Sequence, residues 1–196
     1  MRPQYSTTIE PHSEPITLAQ ASDHLRVDST DDRSYISDLI SVAREYFDSV
    51  TGRASAETTY LLTAESWWDL VACPSTYEIP IFRSPLASVS SVQYYASGDT
   101  VLTTMPTTDY RVITGAEPGR IQLVSSPPAV EDRIDAIQIT FIAGNNCPPA
   151  MSKHAIKMLV SNYYDQRAPI VTGSIATEIP YTLKAIIENQ KIGGNF

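Results

Sequence analysis

Apolar residues recur at three- and four-residue steps from Ile16 to Arg53, ITLAQASDHLRVDSTDDRSYISDLISVAREYFDSVTGR. This spacing predicts a short helix, a polar turn and a long amphipathic helix. In the long helix Ile36, Leu39, Ile40, Ala43, Phe47 and Val50 form an apolar stripe. Asp38, Arg44, Glu45 and Asp48 are expected on the opposite, solvent-facing side. So wide a stripe needs a cover, and the segment that repeats its spacing lies far away in sequence, between Ala150 and Tyr164. There Ile156, Leu159, Val160 and Tyr163 recur at helical steps after Pro148 and Pro149, which fit a first helical turn. A helical core closed late by the C-terminal part of the chain is the expectation.

The ends of these helices are also written in the sequence. Thr17 and Gln20 stand at capping-box spacing, so each side chain can satisfy a free backbone amide, with Leu18, Ala21 and Leu25 facing inward. Thr30, Asp31 and Asp32 precede the long helix, where carboxylates meet the positive end of its dipole. Gly52 supplies the left-handed residue that closes it.

From Glu57 to Ala143 the period falls to two. TTYLLT, YEIPIF, SVSSVQYYA, DYRVI, GRIQLV and IDAIQITFIAG are short, rich in Val, Ile, Thr and Tyr, and separated by turn residues. Their connections are too short for crossover helices, which predicts antiparallel pairing. ASGDTVL is expected at a hairpin tip with Gly98 and Asp99 in the turn, and Pro118–Gly119 in a tight turn before Arg120. The plan is an α+β chain with a helical core and an inserted antiparallel β-sheet. It comprises a flexible, Pro-punctuated arm over 1–15, core helices over 16–56, the sheet over 57–143, a third core helix over 148–168 and a connector with a helical tail over 169–196.

Composition narrows the function classes. A formal net charge of -8 on 196 residues argues against a protein that reads DNA sequence, because such a protein needs Lys and Arg to neutralise phosphates. It does not exclude a wall past which DNA slides, since such a wall should not grip the duplex. Cys73 and Cys147 form no close pair, which gives neither a disulfide framework nor a zinc site. No apolar run reaches membrane-spanning length and the N-terminus lacks the apolar stretch of a secretion signal. The chain is expected to be soluble and intracellular when made, with no membrane partner.

Catalytic and metal chemistry find little support. His12, His24 and His154 are scattered in sequence, without a carboxylate or cysteine at ligand spacing, so no metal site is expected. Asp28, Asp31 and Asp32 lack the glycine and terminal glutamate of a calcium loop and are read as helix-capping residues. Neither a Gly-x-Ser-x-Gly elbow nor a glycine-rich phosphate loop is present. No catalytic residue and no cofactor are therefore assigned. Trp67–Trp68 and Tyr94–Tyr95 are adjacent aromatic pairs; if they lie on strands, either one of each fills the core and the other is left for an interface, or both cap the edges of the sheet.

The order of residues along the chain resembles the head-tail connector, or adaptor, family of long-tailed bacteriophages and prophages. The resemblance rests on Pro15, Ile16, Thr17, Leu18, Ala19, on His24, Leu25, Arg26, on Asp31 and Asp32, and on Leu39, Ile40, Ala43, Arg44, Glu45 and Tyr46 with the closing Thr51, Gly52, Arg53. It continues through Pro85, Leu86, Ser88, Val89, Val92, Tyr94, Asp109 and Tyr110 to Pro148, Pro149, Ala150, Ala155, Ile156, Leu159 and Tyr163. It implies a structural protein, not an enzyme, found in the neck of the virion at the capsid-tail junction and made in the host cytoplasm. Usually twelve copies form a ring beneath the portal protein, extend the DNA channel without sequence-specific binding, and dock a stopper or tail-completion protein. The alternatives are a stopper or tail-completion protein lower in the neck and, from a different class, a small carboxylate-dependent hydrolase.

Two features bear on assembly. Acidic side chains outnumber basic ones up to Asp135, whereas Lys153, Lys157, Arg167, Lys184 and Lys191 make the last quarter mildly basic; ends of opposite sign suit head-to-tail neighbours. Leu183, Ile186 and Ile187 form a short apolar stripe after a Pro- and Gly-containing connector, and such a stripe can pack on its own domain or enter a partner groove. The resemblance favours the partner, giving Tyr181, Leu183, Ile186, Ile187 and Phe196 as portal contacts. On that reading, deleting residues 180–196 abolishes portal docking and leaves the circular dichroism nearly unchanged, whereas loss of the fold would place the helix in the core.

Overall fold

The computed structural model describes residues 3–145, 147–166 and 181–192. The chain divides into two units, a helical one of Ser13–Ala56 with Asn146–Phe196 and a β unit of Met1–His12 with Glu57–Asn145.

In the helical unit, α1 (Leu18–Leu25) starts with a complete capping box. Gln20 N–H donates to Thr17 Oγ1 at 3.2 Å and Thr17 N–H donates to Gln20 Oε1 at 3.2 Å. α2 (Arg33–Thr51) ends at Gly52, which adopts φ +72° and donates its N–H to the Asp48 carbonyl at 3.0 Å. α4 (Ala150–Asp165) lies on α2, and Ile36, Leu39, Ile40, Ala43 and Phe47 bury against Ala155, Ile156, Leu159 and Val160. The long-range cover expected from the two stripes is therefore formed. Tyr164, near the C-terminal end of α4, donates its hydroxyl to Asp32 at the start of α2 at 2.5 Å.

Two polar residues of α2 depart from the amphipathic reading. Arg44 and Asp48, expected in solvent, are 6 % and 7 % exposed. The reason lies outside the helix. Glu14 takes the Arg44 guanidinium at 2.9 Å and the Ser41 hydroxyl at 2.8 Å, and the loop after Gly52 folds back so that Ser55 donates its N–H to Asp48 at 3.0 Å. Buried charges of this kind persist only when paired and hydrogen-bonded.

The C-terminal helix, expected to serve a partner, is packed within its own unit. α5 (Tyr181–Gln190) packs on both α2 and α4, with Leu183 fully buried, Ile187 5 % exposed and Ile186 partly buried against the same core. Arg53 Nε donates to the Gln190 carbonyl at 2.7 Å, and Ile192 N–H donates to the Thr51 carbonyl at 2.9 Å. Thr51 is the last residue of α2, whose carbonyls have no partner within the helix, so the tail satisfies a group the helix leaves open.

The β unit has a five-stranded antiparallel sheet in the order β1-β2-β8-β4-β5 and a three-stranded sheet in the order β3-β7-β6. The strands of the first are β1 (Gln4–Ile9), β2 (Thr58–Ala64), β8 (Ile137–Ala143), β4 (Leu86–Tyr95) and β5 (Leu102–Thr104). Those of the second are β3 (Glu78–Ile81), β7 (Gly119–Leu123) and β6 (Tyr110–Ile113). Alternation fixes the register: Tyr60 and Leu62 of β2 face Phe141 and Ile139 of β8, and all four side chains are buried. The β4–β5 hairpin turns at Gly98 as expected, whereas the β6–β7 connection spans 114–118 and Gly119, expected in the turn, is the first residue of β7.

The first fifteen residues, read as a mobile arm, contain β1, which pairs with β2 from Gln4↔Thr63 to Ile9↔Thr59. Of its six side chains only Tyr5 is not exposed, so no buried-exposed alternation runs along it. Tyr5 turns inward, meeting Phe141 edge-on at 6.2 Å and accepting the Phe82 N–H on its hydroxyl at 3.2 Å.

The two sheets touch where Gly119 of β7 lies against Leu86 of β4, so closely that a Cβ at position 119 would overlap the leucine side chain. Gly119→Ala is expected to lower stability by about 1–3 kcal/mol through overpacking. Urea denaturation checks this, and a midpoint equal to wild type would show that β7 moves aside freely.

Candidate functional site

Metal-binding clusters and membrane spans are absent among the described residues. No group of three or more His, Cys, Asp or Glu side chains is placed to hold a metal ion, Cys73 and Cys147 are exposed free thiols, and no helix is long and apolar enough to cross a membrane. What the β unit presents instead is exposed aromatic and aliphatic side chains and open sheet edges.

Of the two adjacent aromatic pairs only the tryptophans divide into one buried and one exposed ring, and they do so on a helix. Trp67 and Trp68 lie on a one-turn helix, α3 (Trp67–Leu70), rather than a strand; Ser66 caps it by accepting the Trp68 N–H at 3.3 Å. Trp67 is 2 % exposed and meets Tyr94 edge-on at 6.1 Å, whereas Trp68 is 61 % exposed and has Tyr77 at 6.5 Å. Adjacent positions on a helix are about 100° apart, enough to send one indole in and the other out. Tyr94 and Tyr95 on β4 are both half-buried. Arg133 stacks over the Tyr95 ring at 3.7 Å while its guanidinium grips Asp135 through two hydrogen bonds of 2.6 and 2.8 Å. Each partner holds the other charged: the hydrogen bond lowers the Asp135 pKa and raises that of Arg133.

Of the residues assigned to a portal contact, Tyr181 is 87 % exposed at the start of α5. Leu183 and Ile187 are within the helical core, Ile186 packs against it, and Phe196 lies outside the described residues.

The helical unit brings together two histidines that sequence left scattered. His24 of α1 and His154 of α4 meet edge-to-face at 6.5 Å in an open cleft of about 640 Å³ that Met158, Ser161 and Asp165 also line. Loss of solvent around the ring, then Lys157 and His154, hold the His24 pKa below its ordinary value of 6.5. A depressed imidazole favours the neutral form, so its contribution to stability is complete above the ordinary range and is lost as pH falls through the depressed value. His154→Ala is expected to raise the His24 midpoint, read by NMR titration of the ring protons; an unmoved midpoint would remove His154 as a cause.

No family model matches the chain, and no curated protein matches it. Solved structures do. A chain from the neck of an empty GTA particle computed with C6 symmetry superposes with a TM-score of 0.75 over 98% of this chain and 97% of that chain, at 18% identity. The chain shares its fold with components of a gene transfer agent particle. A chain of the virion of the native gene transfer agent (GTA) particle gives 0.73 at 17% identity, covering 98% of this chain and 97% of that one. One from the neck of the native particle computed with C12 symmetry gives 0.67 at 19% identity, covering 100% and 98%. At such identities the likeness is one of fold.

Sequence reading missed the sheet edges, and one signal for them was available. Lys153, Lys157, Lys184 and Lys191 are the lysines of the chain, so the β unit has none. Protein interfaces are depleted in Lys and enriched in Trp, and this unit lacks the first and carries both tryptophans of the chain, Trp67 and Trp68.

Proposed function

We propose that this chain is a structural protein of the neck of a tailed, phage-like particle. In the specific form favoured here it is a head-tail adaptor: copies stand in a ring beneath the portal, extend the DNA channel and offer their far side to a stopper or tail-completion protein. The observation that carries the reading is the correspondence of fold with neck chains across both units. The neck structures computed with cyclic symmetry support the ring. The net charge of -8 supports a channel wall that does not hold DNA by its phosphates.

The reading needs no catalytic group and no cofactor. Portal contact by the tail helix is reduced to what α5 leaves exposed, Tyr181 first, because its apolar stripe is occupied within the helical unit. Trp68 is a second contact candidate, a large amphipathic ring presented to solvent on a helix held by a buried neighbour.

Removing the gene from cells that produce the particle tests the assignment. Electron micrographs of the lysate are expected to show DNA-filled heads and separate tails. Whole tailed particles without the chain would overturn the reading, and heads that keep a further neck layer in its absence would move the chain to a stopper position.

A further inference from the structure

Open strand edges present unpaired amides and carbonyls, and natural proteins blunt them with lysine, proline, a charge in mid-strand or a covering segment. The three-stranded sheet follows this rule. Its edge β3 contains Pro80 and its edge β6 contains Arg111. The five-stranded sheet does not. β1 reads QYSTTI, and β5 with the two residues before it reads TVLTT over 100–104, without a charge or a proline in either. Among the described residues no strand covers either edge. All of β1 except Tyr5 is exposed, and Ile9 and Val101 place apolar side chains in solvent at 52 % and 70 % exposure. The one irregularity in β1 falls between Thr7 and Ile9 and leaves Gln4–Thr7 in continuous register.

Every step across this sheet is antiparallel, so β1 and β5, four steps apart, run in the same direction. Laying β5 of one copy along β1 of the next makes a parallel junction that the same operation can repeat. Pairing β1 with β1 makes an antiparallel junction with two-fold symmetry, which stops at two copies. Identical chains of net charge -8 repel one another, and the repulsion is least where the facing strands carry no charge. The cyclic symmetry of the matched neck structures names the same occupant, a second copy in a repeated arrangement.

We infer that β1 of one copy accepts β5 of the neighbouring copy as an added strand, so that the five-stranded sheets continue from subunit to subunit. The inference rests on the neck reading for its ring and adds the surface that builds it. Backbone hydrogen bonds supply the attachment, and the absence of charge on both strands permits it.

Sedimentation of the purified full chain at millimolar concentration, without portal, tests it. Gln4→Lys with Thr7→Lys guards β1, and Val101→Lys with Thr103→Lys guards β5; all four positions are exposed, so circular dichroism should match wild type. Wild type is expected to form species larger than dimers and each variant to stay monomeric. An equal mixture of the two variants has one intact β5 facing one intact β1, and should stop at heterodimers. A monomeric wild type, or variants that associate as wild type does, would overturn the inference. A β5-guarded variant that dimerises alone would replace the head-to-tail junction with two-fold pairing of β1. Portal binding is measured separately: a chain that binds portal but never self-associates loses this inference and keeps the neck reading, whereas self-association without portal binding does the reverse.

Discussion

Leu183→Ala is expected to destabilise the helical unit by about 2–5 kcal/mol, the range for truncating a fully buried leucine in a core that only partly relaxes. Leu183 has no solvent exposure and belongs to the same cluster as Ile36, Phe47, Ile156 and Leu159. The helix that carries it is tied at its far end by the Gln190 carbonyl and the Ile192 amide. Deleting residues 181–196 should therefore remove more than one helix. It uncovers the faces of α2 and α4 that α5 occupies, and far-UV circular dichroism should fall by more than the deleted residues account for. This is the opposite of what the resemblance implied, in which the tail serves a partner and the fold survives its loss. A Leu183→Ala unfolding midpoint equal to wild type would show that α5 detaches at little cost and would restore the partner reading.

Phe141→Ala should have an effect of similar or larger size, about 3–5 kcal/mol, in the β unit. Phe141 is fully buried on β8, with β2 on one side and β4 on the other. Its ring stacks on Tyr60 at 5.6 Å and meets Tyr5 edge-on at 6.2 Å. Aromatic pairs of this geometry add to the area they bury, and a hole beneath a central strand cannot close without moving the ladders on both sides. Tyr5 is the single inward anchor of β1, so hydrogen exchange at Gln4–Ile9 should accelerate in the variant. Phe141→Leu, which fills much of the space, should recover most of the loss. Unchanged exchange along β1 in Phe141→Ala would mean that the edge strand is held by its ladder with β2 alone.

The parts of the fold that were legible are those where local chemistry and burial agree. The stripe from Ile36 to Phe47 and the matching spacing from Ile156 to Tyr163 are both periodic and long, and each needed a partner of that kind. Thr17 with Gln20, and Gly52, mark helix ends through groups within three or four residues of themselves. What escaped depends on contacts made far along the chain. At about 100° per residue Arg44 and Asp48 stand on the flank of the stripe rather than opposite it, and Glu14 and Ser55, which lie outside the helix, complete their burial.

The same limit applies to the site. An amphipathic stripe states that Leu183 and Ile187 are covered, but not by what. Trp67 and Trp68 sit on a turn too short for any period to show, so strand alternation was the wrong device for a correct division into one buried and one exposed ring. β1 has one inward side chain in a Pro-flanked polar segment, which gives alternation nothing to register. His24 and His154 are far apart in sequence and meet only because α1 and α4 share a core.

The central claim is that this protein works by standing between other proteins in a neck. Negative-stain class averages of portal rings mixed with the purified chain test it most directly. The expected result is an added layer on one face of each ring, with the rotational order of the portal. Bare portal rings, with the chain left free in solution at saturating concentration, would contradict the account.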